Sequence, residues 1–186
     1  MAGRGQLRII GGEWRGRRLP VAAAPGLRPT ADRVRETLFN WLQGVIPGAR
    51  CLDLFAGSGA LALEALSRGA ESAVLVERTA AVARVLRENI RHLEAGDRAE
   101  IVRADAVRFL ARTPRPVDVV FLDPPFKSDI IGPVCSDLAA RGWLAPGARV
   151  YLEVDRHRGL PALPAGWEIV RQGTAGGVAY ALAATI

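Results

Sequence analysis

Four consecutive residues, Asp123-Pro124-Pro125-Phe126, form the motif with the clearest chemical potential in the sequence. An exocyclic amine on a nucleic-acid base is a poor nucleophile because its lone pair is delocalised into the ring. A carboxylate and a backbone carbonyl that accept its two N–H groups would shift the nitrogen towards tetrahedral geometry. The prolines fix φ and place these acceptors in advance, while the phenylalanine offers a stacking face to an unstacked base. The motif predicts chemistry on an amino nitrogen, and a rigid strand-terminating turn is the simpler alternative.

A glycine turn lies upstream of this motif. Gly57, Gly59 and Ala62, with Glu77 twenty residues after Gly57, formally match the dinucleotide pattern G-x-G-x-x-G/A. The match raises a nicotinamide-dependent dehydrogenase as a rival enzyme class. The pattern alone does not decide between the two.

The sign of the predicted pocket argues against a ligand that contains phosphate. Asp53, Asp105 and Asp123 would each bring negative charge close to a pyrophosphate. The same acids suit S-adenosylmethionine, which carries cationic ammonium and sulfonium groups and no phosphate. Asp53 would then hold the ammonium group, Glu77 would accept from the ribose hydroxyls and Asp105 from the adenine amine. The glycines would let the backbone approach the ligand closely.

These acids need a scaffold that gathers the ends of several strands. Beyond residue 50 the apolar pattern alternates between strand and helix, which predicts an α/β fold with a doubly wound, mostly parallel sheet covered on both faces. The last two strands lack an intervening helix and predict a closing antiparallel hairpin. The predicted strands lie near residues 51–55, 72–77, 101–102, 117–122, 150–154, 167–171 and 178–183. The predicted helices lie near residues 60–66, 79–93, 106–112 and 129–141.

The N-terminal region carries the charge imbalance. Residues 1–35 contain eight arginines against two acids, a net charge of +6, whereas the rest of the chain holds 17 basic and 17 acidic groups. Residues 1–46, interpreted as a β-ribbon followed by a helix through residue 46, therefore predict an RNA-contacting extension on a catalytic domain of residues 47–186. A solvated arginine-rich surface is the alternative. The predicted RNA contacts are Arg8, Trp14, Arg15, Arg17, Arg18, Arg28, Arg33, Arg35 and Lys127.

Length and composition restrict the class of protein. A chain of 186 residues with 49% apolar and 24% charged residues can bury its own core and is not wholly disordered. No apolar run approaches the roughly 18 residues of a membrane span, and no signal-peptide pattern follows the N-terminus. The two cysteines, Cys51 and Cys135, lack metal-ligand spacing and form no disulfide framework. We expect a cytoplasmic monomer without membrane attachment or metal.

Several segments together resemble the bacterial small-subunit ribosomal RNA guanine-N2 methyltransferases of the RsmD type. The resemblance rests on RIIGGEWRGR at residues 8–17, GLRPTADRVRETLFNWL at 26–42, the glycine turn at 53–60, LEALSR at 63–68 and the motif at 123–126. It continues through residues 142–144 and 177–180. The first two segments are far more specific than the glycine turn.

The resemblance implies a class I, Rossmann-like methyltransferase fold with a seven-stranded sheet. It also implies S-adenosylmethionine as the methyl donor and 16S ribosomal RNA, within a partly assembled small subunit, as the substrate. The residues implied to bind the donor are Asp53, Ala56, Gly57, Ser58, Gly59, Glu77, Asp105 and Ala106. Those implied to hold the target amine and base are Asp123, Pro124, Pro125 and Phe126.

Three rival functions remain open at the level of sequence. An adenine-N6 methyltransferase of DNA or RNA would use the same motif chemistry. A protein-glutamine methyltransferase would leave the basic N-terminus unexplained. A non-catalytic RNA-binding assembly factor would leave the ordered acids and the Asp-Pro-Pro-Phe motif without a role.

Overall fold

A computed structural model describes residues 5–23, 31–125 and 128–186. Its helices are α1 (Asp32–Trp41), α2 (Ala60–Ser67), α3 (Ala80–His92), α4 (Ala106–Leu110) and α5 (Ile131–Ala140). Its strands are β1 (Gln6–Arg8), β2 (Arg18–Pro20), β3 (Arg50–Asp53), β4 (Ser72–Val76), β5 (Ala99–Val102), β6 (Val117–Leu122), β7 (Leu144–Asp155), β8 (Trp167–Ala175) and β9 (Val178–Thr185).

The central feature is a seven-stranded sheet of order β5-β4-β3-β6-β7-β9-β8. Strands β3 to β7 pair in parallel, because a helix returns the chain between successive strands. Strand β9 is antiparallel to both of its neighbours. The predicted α/β class, the parallel sheet and the closing hairpin are confirmed.

Two predicted boundaries differ most from the structure. Helix α1 ends at Trp41 and not at residue 46, because residues 42–48 form turns that lead into β3. Strand β7 begins at Leu144, six residues before its predicted start. An irregularity in its pairing with β6 lets the strand follow its neighbour over this extra length.

Apolar helices cover both faces of the sheet. On one face α1, α2 and α3 form a single cluster with Cys51, Phe121 and Tyr151 of the strands. On the other face α4 and α5 pack against the alternate strand residues. Helix α1 lies over the centre of the sheet, where Phe39 packs on Phe121 with ring centroids 6.1 Å apart.

The N-terminal ribbon belongs to the same hydrophobic core as the sheet and its helices. Leu7, Ile9 and Leu19 are buried in the cluster that contains α2 and α3. Trp14 is only 3% exposed, and the guanidinium of Arg98 lies over its ring at 5.1 Å. The prediction that Trp14 contacts RNA was therefore wrong, since its ring packs on its own protein.

A buried carboxylate, Glu64 of α2, attaches this ribbon to the helix. Its two oxygens accept the backbone N–H groups of Ile10 and Gly11 at 2.9 and 2.8 Å. They also accept hydrogen bonds from the guanidinium groups of Arg68, at 2.8 Å, and Arg35, at 3.4 Å. A carboxylate without any exposed surface is tolerated only with such donors.

Arg35 was predicted to contact RNA, and this prediction was wrong. Its side chain is 1% exposed. The guanidinium donates to Asp32 at 2.6 Å and to the backbone carbonyl of Arg8 at 2.9 Å, in addition to Glu64. Arg35 therefore joins α1, the ribbon and α2 inside the protein.

Among the residues that the structure describes, no helix combines the length and the apolar character needed to cross a membrane.

Two glycines of the ribbon provide a test of this attachment. Both have left-handed backbone angles, with φ of +79° at Gly12 and +83° at Gly16. A Cβ on Gly12 would lie 1.8 Å from the backbone oxygen of Ser67, whereas a Cβ on Gly16 would meet no atom within 4 Å. Gly16→Ala should lower the free energy of unfolding by about 1–2 kcal/mol, the usual cost of this conformation.

Gly12→Ala should cost clearly more than Gly16→Ala, because the ribbon must also move away from α2. Urea-induced unfolding of the two variants and the wild type measures the difference. Equal losses in both variants would contradict the close packing of the ribbon on α2.

Candidate active site

The site lies where the chain changes direction across the sheet. From β3 the chain proceeds to β4 and β5 on one side, and β6 and β7 lie on the other. Ligands of open α/β sheets bind outside the carboxyl ends of the strands at such a switch point. Asp53 ends β3 and Asp123 follows β6 directly, so both predicted acids belong to the two strands that flank this point.

Asp53 is the most deeply buried acid at this edge. It is 2% exposed, and its Oδ1 accepts the backbone N–H of Phe55 at 3.2 Å. Burial is the main cause that raises the pKa of this carboxyl to about 7, and the negative charges of Asp123 and Glu77 contribute to the same shift. Backbone N–H groups of Phe55 and Ala62 oppose the shift. Within the described residues Asp53 has no cationic partner, so its ionised form calls for a positive ligand.

The glycine turn connects β3 to α2. Gly57 and Gly59 have positive φ of 50° and 79°, and Gly59 occupies the N-cap position of α2. Glu77, at the end of β4, holds this turn in place: one carboxylate oxygen accepts the N–H of Gly57 at 3.1 Å and the other that of Thr79 at 2.7 Å. Beside the turn, Ala56 and Ser58 are buried.

Asp105 follows β5 and caps helix α4. Its Oδ1 accepts the N–H of Arg108 at 2.9 Å, and its other oxygen lies 3.3 Å from the guanidinium of the same residue. Ala106 is buried beneath it at the start of the helix. The edge of the sheet therefore brings Asp53, the glycine turn, Glu77, Asp105 and Asp123 together, as the sequence predicts.

The turn after β6 borders a cavity of about 270 Å³. Pro124 and Pro125 form one wall, and Glu153 and Arg158 contribute to the others. Arg158 forms an ion pair with Asp129, which ties the loop after β7 to the segment before α5. Phe126 and Lys127, predicted to stack on the base and to contact RNA, lie outside the described residues.

Sequence reasoning missed one acid of this site, Glu153 of β7. It is 5% exposed and accepts a hydrogen bond of 2.8 Å from the Tyr151 hydroxyl. Burial raises the pKa of Glu153 to about 8, and the charge of Asp123 contributes to the shift. A single glutamate within the apolar run Tyr151–Val154 was the available signal.

The predicted RNA-binding arginines differ in their surroundings. Arg8, Arg15, Arg17, Arg18 and Arg33 are exposed on the ribbon and on α1. Arg8 pairs with Asp32 at 3.0 Å, and Arg17 donates to the backbone carbonyl of His92 at 3.3 Å. Arg28 lies outside the described residues.

The residues at this edge fit S-adenosylmethionine, the cofactor that the resemblance implies. A buried carboxyl without a described cationic partner suits an ammonium group, and a positive-φ glycine turn at a helix N-terminus admits a ligand close to the backbone. Asp53 and the turn would hold the amino-acid end, and Glu77 and Asp105 the nucleoside.

The chain matches known proteins over nearly its full length. Residues 7–184 match the family model Conserved hypothetical protein 95. The Ribosomal RNA small subunit methyltransferase D of Escherichia coli strain K12 is 53% identical over 97% of this chain and 91% of that protein. The protein of the same name from Haemophilus influenzae is 43% identical over 96% and 94%. The structure of yhhF from Escherichia coli superimposes with a TM-score of 0.91 at 50% identity, covering 97% of this chain and 98% of that one.

The raised pKa of Asp53 predicts how stability changes with pH. In the folded protein this carboxyl keeps its proton up to about pH 7, whereas the unfolded chain releases it near the usual value of 3.8. The folded state therefore binds the extra proton in this window, and stability falls as the pH rises from about 4 through about 7. Asp53→Asn keeps the shape of the side chain and removes its titration. Over this pH range the free energy of unfolding of the variant should therefore fall less than that of the wild type, by about 1.4 kcal/mol for each unit of pKa shift that the substitution removes.

Urea unfolding across this pH range measures the difference. Asp118→Asn serves as the control. Arg50 lowers the pKa of Asp118, so the contribution of this carboxylate to stability is lost as the pH falls, the opposite of the dependence expected for Asp53. Parallel curves for the wild type and Asp53→Asn would contradict the assigned environment of Asp53.

Proposed function

The chain belongs to the Conserved hypothetical protein 95 family, and from this premise we propose that it methylates the exocyclic N2 amine of a guanine at the Asp123 turn. It is a methyltransferase of 16S ribosomal RNA that uses S-adenosylmethionine, as its close relatives named small subunit methyltransferase D support. Two finer points are part of our proposal: the methylated group is the N2 amine of a guanine, and the RNA that carries this guanine lies in the small ribosomal subunit.

The position of Asp123 is the observation that carries the proposal. It follows β6 beside the acid that ends β3, so the target amine and the donor would meet at the switch point. Asp123 and a backbone carbonyl of the turn accept the two N–H groups, and Pro124 and Pro125 hold these acceptors rigid. The nitrogen lone pair is then directed at the donor.

Bound S-adenosylmethionine supplies an electrophilic methyl group on a positively charged sulfur. The amine nitrogen would take this methyl group while the sulfur leaves as a neutral thioether, and the amine would then have one proton to release. The Asp123 carboxylate, which accepts an N–H of the amine, is placed to take this proton. Asp53 and the glycine turn orient the donor by its amino-acid end.

The exposed arginines of the ribbon and α1 support an RNA-binding surface on the face of the sheet that α1, α2 and α3 cover. Arg15, Arg18 and Arg33 form no ion pair with any described residue, so their charges are available to phosphates. Such contacts orient a structured RNA but do not read its sequence. Selection of one nucleotide would then depend on RNA shape and on a base that leaves its stack.

Transfer of a labelled methyl group to small subunits that lack the modification tests this function. We expect N2-methylguanosine after digestion to nucleosides, and a loss of turnover of at least about 100-fold in Asp123→Ala with donor affinity retained. Asp118→Ala, at the opposite end of the same strand, is the matched control and should remain active. N6-methyladenosine in the digest, or full activity of Asp123→Ala, would refute the proposal.

Neutralisation of the ribbon tests the RNA surface. The combined substitutions Arg15→Gln, Arg17→Gln and Arg18→Gln should weaken RNA binding and reduce the slope of log affinity against log salt by up to about two. Donor affinity, measured by calorimetry, should not change.

The matched control replaces Arg112, Arg115 and Arg141, three exposed arginines beside α4 and α5 on the other face of the sheet, with glutamine. This variant has the same net charge as the ribbon variant and should bind RNA like the wild type. If both triple variants lose the same RNA affinity, net charge and not the ribbon surface accounts for binding.

A further inference from the structure

Glu153 has no part in the chemistry described so far, although it is buried beside Asp123. Leu122 of β6 pairs with Leu152 of β7, so Asp123 and Glu153 are the next residues on two adjacent parallel strands. Neighbouring strands lie about 4.8 Å apart, and side chains alternate between faces. Phe121 and Tyr151 share one face, which places Asp123 and Glu153 together on that face at the carboxyl edge.

The two oxygens of Glu153 have different surroundings. Oε2 accepts the hydrogen bond from Tyr151, whose ring is fully buried. Oε1 accepts no hydrogen bond from any described residue. Every side-chain nitrogen or oxygen that is fully buried among the described residues has a hydrogen-bond partner, so Oε1 cannot be fully buried. Oε1 is therefore the oxygen that reaches the open edge, where Glu153 also lines the cavity behind Pro124 and Pro125.

A carboxylate oxygen that can still accept a hydrogen bond suits guanine better than adenine. The target amine of guanine is flanked by N1–H, a donor, whereas the amine of adenine is flanked by an unprotonated N1, an acceptor. A carboxylate one strand away from Asp123 can accept the N1–H while Asp123 accepts the amine. Once the positive charge of the bound donor ionises Glu153, the same oxygen would face a second acceptor on adenine, and an unpaired buried acceptor is costly.

On the basis of the proposed function, we infer that Glu153 is the specificity-determining residue that accepts guanine N1–H, with Tyr151 as the positioning residue that fixes its carboxylate. Charge supports this assignment. Asp123 and burial both disfavour the ionised form of Glu153 in the free protein and raise its pKa to about 8. A base that offers N–H donors to both carboxylates would relieve this repulsion, and so would the positive charge of the donor.

The test changes both partners of the proposed hydrogen bond, the N1–H donor on the base and the Glu153 acceptor on the protein. 2-Aminopurine keeps the amine of guanine but has an unprotonated N1. In Glu153→Gln the Tyr151 hydroxyl still donates to the side-chain oxygen, so the amide NH₂ faces the base and can donate to that N1. The substrates are small subunits reconstituted with guanine or 2-aminopurine at the nucleotide mapped by the methyl-transfer experiment.

The wild type should prefer guanine by at least about tenfold in kcat/KM. Glu153→Gln should lose about 10- to 100-fold on guanine and show an equal or reversed preference. Tyr151→Phe, which leaves the carboxylate without its fixed donor, should reduce the preference part of the way. Glu168→Gln, the same change on the exposed part of β8, should behave like the wild type.

The outcomes separate this inference from the function on which it rests. Wild-type transfer to guanine with the same guanine to 2-aminopurine ratio in Glu153→Gln would overturn the role of Glu153 alone. Absence of any wild-type transfer would overturn the proposed function and this inference with it. Donor affinity by calorimetry verifies that each variant folds, and if Glu153→Gln does not, an unchanged ratio in Tyr151→Phe overturns the inference.

Discussion

Carboxyl groups that are buried close together at one edge of the sheet determine the electrostatics of the candidate active site. Asp53, Asp123 and Glu153 lie on neighbouring strands β3, β6 and β7, and the first and last of them are almost without solvent. Burial makes ionisation of Asp53 and Glu153 costly, and the charge of Asp123 adds to the cost, which is why the pKa values of both groups are raised. A ligand that brings positive charge or N–H donors removes this cost, so this edge is electrostatically adapted to a cationic donor and an amine-bearing base.

A second buried carboxylate connects the proposed RNA-binding ribbon to the proposed donor pocket. Glu64 holds the ribbon and, through Arg35, helix α1 against helix α2. The glycine turn of the donor pocket is the N-terminal start of that same helix. Because the ribbon is packed on α2, its exposed arginines keep a fixed distance from the glycine turn, as the proposed reaction with one nucleotide of a large RNA would require.

Much of the fold could be predicted because it depends on local pattern. The apolar run 117–122 is β6 as observed, and the acids at the strand ends meet because parallel strands share an edge. What could not be predicted depends on contacts between distant residues. The inward orientation of Arg35 is set by Glu64, 29 positions away, and Trp14 is buried only because the ribbon docks on α2. The position of Glu153 beside Asp123 depends on the register of β7 against β6, and this register cannot be predicted from the local sequence pattern.

The order of the last three strands has a consequence for biosynthesis. Strand β9 follows β8 in the chain but lies between β7 and β8, so β8 has no place in the sheet until β9 has been made. The edge of β7 that carries Glu153 stays open until Tyr180 pairs opposite it, and Trp41 of the first helix then packs on that tyrosine with ring centroids 5.5 Å apart. Early and late parts of the polypeptide thus close the reaction centre together. Pairing of the β8–β9 hairpin with β7 therefore completes the surroundings of Glu153 only after almost all of the sheet has been synthesised.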